Sequence, residues 1–145
     1  SHGNTTPLMA AAGGVFDAYR SNEDEDKALE AVRLMVELGP DVNEPNAMGQ
    51  TPMHAAAFTG VTEMVQLLAD KGASVNVRAT NGETPWSMAS GISPDANYTA
   101  FWAVHQSTAD LLVRLGAIAM TADEIEALNP GELRNAIIYS APVQN

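Results

Sequence analysis

The 145-residue chain has no cysteine. That excludes a disulfide framework, a thiolate nucleophile and a Cys-based zinc site. Basic residues are scarce: 7 Lys and Arg stand against 18 Asp and Glu, a net charge of −11. Nucleic acid and anionic membrane surfaces both demand a basic face, so neither is expected as a partner. No window approaches the ~18 uncharged apolar residues of a membrane span, so no membrane insertion is expected. Catalytic signatures are missing too. There is no G-x-S-x-G, Walker loop or G-x-G-x-x-G. His2, His54 and His105 show no metal-ligand spacing such as H-x-x-x-H. The expectation is a non-enzyme with no catalytic residue, metal or cofactor. Ser1-His2-Gly3 opens no charged n-region or apolar h-region, so no signal peptide is expected at this end. Ser1-His2 reads as a cloning remnant, in which case a leader or upstream domains would be missing. Nothing here points to a compartment.

What is present is 46% hydrophobic residues, too many for a disordered acidic tail, over a length that fits one domain. The residues repeat. Thr-Pro recurs at Thr6-Pro7, Thr51-Pro52 and Thr84-Pro85, with the first step longer than the second. Each opens an Ala-rich run: Leu8 to Ala12, Met53 to Ala57, Trp86 to Ala89. An apolar stripe ending in Gly follows: Leu34, Met35 and Gly39; Leu67, Leu68 and Gly72; Leu111, Leu112 and Gly116. Two of these stops continue as Asp41-Val42-Asn43 and Ser74-Val75-Asn76, and turns at Gly49 and Gly82 lead to the next Thr-Pro.

The middle unit is the most regular. Thr51 suits an N-cap and Pro52 the first helical position, where a missing N–H costs nothing. Ala55, Ala56 and Ala57 make a thin first helix that neighbours can approach closely. Gly60 suits a left-handed stop. Met64, Val65, Leu67 and Leu68 give one apolar face of a second helix. A single helix pair cannot bury both its faces, so such units must stack into a solenoid.

This unit, Gly49 to Asn76, resembles the ankyrin repeat in its T-P-L-H-x-A signature and 33-residue period. The resemblance covers about residues 4–117 and is of a bacterial-type form carrying helix–helix insertions. It implies an all-α solenoid of stacked helix-turn-helix units with short hairpin turns. The expected divisions are repeat one at about 4–43, repeat two at about 44–76, repeat three at about 77–117 and C-terminal capping helices at 121–140. It also implies a structural role for His54, whose ring nitrogens would bond backbone near the hairpin. Met9 and Ser87 occupy the equivalent positions.

Two units depart from the pattern. From Thr-Pro to closing Gly, unit one (Pro7 to Gly39) and unit three (Pro85 to Gly116) are each about half as long again as unit two (Pro52 to Gly72). Both insertions, 13–27 and 91–106, fall between the two helices of a unit. The first carries Glu23-Asp24-Glu25-Asp26. Asn22, Asp24 and Asp26 have the 1-3-5 spacing of an EF-hand, but Lys27 and Arg33 replace the required Gly and Glu, so a solvated helix N-terminus is expected instead. Phe16 and Tyr19 with Tyr98, Phe101 and Trp102 place five of the eight aromatics in the insertions. They form either a recognition patch or packing of each loop onto its own unit.

After Gly116 the pattern decays. Thr121-Ala122-Asp123-Glu124 is a capping box followed by Ile125 and Leu128, and Pro130 begins a second apolar stretch. A helical C-terminal cap over the last unit is expected, the alternative being that these helices reach a neighbouring domain or a second copy. The resemblance implies a non-enzymatic module that binds an unidentified protein or a neighbouring domain. The chain itself is expected to be a monomer. Carried over by position, the partner-facing residues are Ala47, Met48, Gln50, Ala55, Phe58 and Thr59 in unit two, and Thr80, Asn81, Glu83 and Met88 in unit three. The other readings are a ligand-binding or enzymatic domain built on the aromatic insertions, and a self-assembling scaffold. The acidity favours a basic or neutral protein partner over any polyanion.

Overall fold

A computed structural model describes residues 5–13, 22–92 and 104–128. Among these residues the chain forms seven helices and no strand. They are α1 (Pro7–Gly13), α2 (Asn22–Glu37), α3 (Pro52–Thr59), α4 (Thr62–Asp70), α5 (Pro85–Ala89), α6 (Gln106–Arg114) and α7 (Ala122–Leu128). Helices α1, α3 and α5 pack side by side in one layer, and α2, α4 and α6 form the second. Each first helix also packs on the second helix of its own unit.

The local chemistry of unit two explains the pairing. Thr51 is extended and Pro52 stands at the start of α3. Ala56 and Ala57 are wholly buried, and their small side chains let α1 and α5 approach α3 from either side. Gly60 ends α3 at φ 75, and its N–H donates to Ala56 O at 3.1 Å. A Cβ at Gly60 would collide with the His105 ring, so this position needs glycine for space as well as for handedness. Helix α4 turns Met64, Val65 and Leu68 inward. It closes with Gly72 N–H to Ala69 O and Ala73 N–H to Leu68 O, and α6 repeats that pattern at Gly116 and Ala117. Helix α2 makes the first bond, Gly39 to Val36 O, but Pro40 has no N–H for the second.

The core runs along the stack, with Val32, Met53, Met64, Val65, Leu68 and Leu112 fully buried. One member of the expected stripe differs. Leu34 is 58% exposed, whereas its counterparts Leu67 and Leu111 are partly buried against the core. Helices α4 and α6 each have a preceding pair to cover that position, and α2 has none among the described residues.

The first insertion is partly a helix. Helix α2 runs 16 residues, against 9 for α4 and 9 for α6, and the acidic run lies in its first turns. A helical backbone is not the loop an EF-hand requires.

Helix α7 packs beside the third unit. The Thr121 N–H donates to Glu124 Oε2 at 2.8 Å, and the Glu124 N–H donates to Thr121 Oγ1 at 3.2 Å. Ile125, Met120 and Ile92 form a small second cluster with Trp86 and Leu128 packed against it. A Cβ on Gly82 would lie 2.8 Å from Leu128 Cδ1, whereas one on the equivalent Gly49 would lie 3.1 Å from Thr80 N in the next hairpin. The α7 helix therefore stands where a further unit would stack. The rest of the expected cap, 129–140, lies outside the described residues.

Gly60→Ala should lower the urea midpoint, with about 1–2 kcal/mol lost from left-handed geometry alone and more from the clash. Adding His105→Ala should recover the clash portion only. An unchanged midpoint in the single variant would overturn this account of the α3–α4 turn.

Candidate functional site

The surface of interest begins with two short turns. In the first, Asn46 N–H donates to Gln50 O at 2.8 Å. In the second, at the equivalent place one repeat later, Ala79 N–H donates to Glu83 O at the same distance. Asn46 Oδ1 accepts from the N–H groups of Met48 and Gln50, at 2.9 and 3.0 Å, and fixes the first tip. Asn81 Oδ1 accepts from Glu83 N–H at 3.2 Å in the second. The tips are tied together, because Thr80 donates its N–H and its hydroxyl to Met48 O, both at 2.9 Å.

His54 locks these turns to the helices. Its Nδ1 accepts from the Thr51 N–H at 3.0 Å, which requires that nitrogen to be unprotonated. The proton then sits on Nε2, which donates to Glu83 O at 3.1 Å in the next unit. The ring is 1% exposed. Burial holds its pKa below the ordinary 6.5, opposed by the backbone bonds to Glu83 and Val77. Ser87 replaces the imidazole in unit three and bonds only within its own turn, accepting from Thr84 N–H and donating to Thr84 O. The cross-unit bond is therefore particular to the joint between units two and three.

A second device was not read from the sequence. Asn43 donates from Nδ2 to Gly72 O at 3.3 Å and accepts from Ser74 N–H at 2.7 Å. Asn76 does the same one unit later, to Gly116 O at 3.0 Å and from Ile118 N–H at 2.8 Å. The signal was present: Val-Asn recurs after both stops, as Val42-Asn43 and Val75-Asn76. Each asparagine clamps the end of the following unit's second helix.

The expected partner-facing residues divide. Ala47, Met48, Thr80 and Asn81 are exposed at the tips. Ala55, Phe58 and Thr59 are half-buried, at a spacing that puts them on one face of α3, while Met53, His54, Ala56 and Ala57 are buried on the others. Gln50 is half-buried and donates to Glu83 Oε2 at 3.2 Å. Two positions do not reach the surface. Glu83 is 4% exposed, held by Gln50 and His54 within the joint. Met88 is 4% exposed and belongs to the main core, where its thioether chain gains more from burial than from solvent. Phe16, Tyr19, Tyr98, Phe101 and Trp102 lie outside the described residues.

The family described as ankyrin repeats (3 copies) matches residues 1–79 and 24–123. The chain belongs to the ankyrin repeat family. It is 38% identical over 73 residues to the BTB/POZ domain and ankyrin repeat-containing protein NPR5 of Oryza sativa subsp. japonica, covering 49% of this chain and 14% of that protein. The ankyrin repeat-containing protein P1E11.10 of Schizosaccharomyces pombe is 28% identical over 102 residues, 70% of this chain and 47% of that protein. Serine/threonine-protein kinase 12 of Arabidopsis thaliana is 32% identical over 75 residues, 52% of this chain and 16% of that protein. The chain thus spans less than half the length of each of these relatives. Ankyrin repeats are protein–protein interaction modules and generally non-enzymatic, so this ankyrin stack is an interaction module. No described helix is long and apolar enough to cross a membrane.

The His54 geometry sets a pH dependence. The unfolded chain takes up a proton as pH falls below 6.5, and the folded chain resists it to lower pH. Stability from this group is present above 6.5 and is lost as pH drops, at no more than about 1.4 kcal/mol per pH unit. Urea midpoints should fall between about pH 7.5 and about pH 5.5, and His54→Gln should flatten that fall. Equal slopes in both proteins would reject the assignment.

Proposed function

We propose that the chain captures a protein partner through the exposed hairpin tips and the adjoining face of α3, with no catalytic step of its own. The observation that carries this reading is Met48. It is 45% exposed at a tip whose backbone is held by Asn46 and Thr80. A long apolar side chain on a fixed backbone offers contact area with no backbone left to order, and only its own rotamer freedom is lost on binding. Ala47, Thr80 and Asn81 flank it, and Phe58, Ala55, Thr59 and Gln50 continue the surface onto the helices. Glu83 supports that surface from beneath. The net charge of −11 favours a neutral or basic protein surface and disfavours nucleic acid. The chain acts as a monomer in this reading.

With the chain as bait, Met48→Asp together with Phe58→Ala should cut partner capture by at least tenfold, about 1.4 kcal/mol. Glu63→Ala on the exposed side of α4 should leave capture intact. Loss with Glu63→Ala and retention with the double variant would move the binding surface to the second-helix layer. Light scattering over a concentration series should show one protomer throughout.

A further inference from the structure

The asparagines of the turns are not equally protected. Asn43 and Asn76 have both ends of their side-chain amides tied to the following unit. Asn46 is likewise held, with Oδ1 accepting two N–H groups and Nδ2 donating to Gln50 Oε1 at 3.1 Å. Asn81 differs. It is exposed, no bond to its Nδ2 is made among the described residues, and the next residue is Gly82. Asn-Gly occurs once in the sequence.

We propose that Asn81 is a site of spontaneous deamidation. The Gly82 nitrogen, after losing its proton to hydroxide, attacks Asn81 Cγ, and no side chain on residue 82 hinders the approach. The Cγ–Nδ2 bond breaks and ammonia leaves, taking a proton from water. A five-membered imide remains. Water then opens one of its two C–N bonds, giving aspartate or isoaspartate, and nothing is oxidised or reduced. The bond from Glu83 N–H to Asn81 Oδ1 favours the attack, because it stabilises negative charge developing on that oxygen. One feature opposes it: Gly82 N–H donates to Ala79 O at 2.9 Å, so the tip must open by that bond before the nitrogen can react. Exposed turns open locally at low cost. Either product adds a negative charge at the tip. The isoaspartyl form also lengthens the backbone where Gly82 packs against Leu128, so it loosens the contact with α7.

The test is to age the folded protein at mildly alkaline pH and map tryptic peptides by mass. The peptide from Ala79 to Arg114 should gain the mass difference of amide to acid at least tenfold faster than the peptides holding Asn43, Asn46 and Asn76. Because that peptide also contains Asn97, Asn81→Gln must abolish the gain, and isoaspartate labelling must fall with it. A gain that persists in Asn81→Gln, or one equal across all the peptides, would overturn the proposal. So would a gain confined to urea-unfolded protein, since the fold would then be protecting the tip.

Discussion

Each unit of this protein is too thin to bury itself. A helix pair of roughly this size exposes an apolar face on either side, and only a neighbour in the right register can cover it. Register is therefore the constraint on which the stack depends, and hydrogen bonds set it more sharply than apolar contact alone. Asn43 and Asn76 fix the ends of the second helices, Thr80 ties one hairpin to the previous one, and His54 reaches across to Glu83 O. Core side chains such as Met53, Met64 and Leu68 supply non-directional burial, and the polar links choose among the positions at which that burial is possible.

The insertions test this view. The step from Gly72 to Gly116 is longer than that from Gly39 to Gly72, yet Asn76 meets Gly116 and Ile118 as Asn43 meets Gly72 and Ser74. Added length enters at the connection between first and second helices. The turns and asparagine clamps lie on the opposite connection, from second helix to next first helix, and there they keep the spacing of one plain repeat. In unit one part of the extra chain joins α2, whose backbone is helical from Asn22. The stack thus absorbs insertions on one edge without shifting the joints on the other.

Much of this was legible because it depends on backbone chemistry. Thr51-Pro52, Gly60 and Gly72 mark helix starts and stops by their conformational limits, and the structure places helix ends there. Glu124 as the partner of Thr121 was equally direct. Burial was harder. Met88 and Ala55 hold equivalent positions, yet one lies in the core and the other is half-buried. Position within a repeat cannot tell them apart, because the outcome depends on what packs above each. Leu34 shows the reverse: an apolar residue at a core register that is 58% exposed, with no helix pair before it among the described residues. The asparagine clamps escaped notice because a Val-Asn pair carries no chemistry until the following helix end is placed beside it.

The polar links also bear on how the proposed binding surface is held. The joint between units two and three has an imidazole bond, two bonds between hairpins and an asparagine clamp. Among the described residues, Ile92, Met120 and Ile125 pack with Trp86 and Leu128 beside α7. Arg78 and Glu124 pair there at 3.6 Å, and such a half-exposed pair contributes little. Local stability follows buried area and satisfied polar groups. The tips around Met48 are therefore held by the directional bonds of the joint between units two and three. The proposed binding surface lies beside that joint, so its backbone keeps its shape through bonds within its own turn and to the next hairpin.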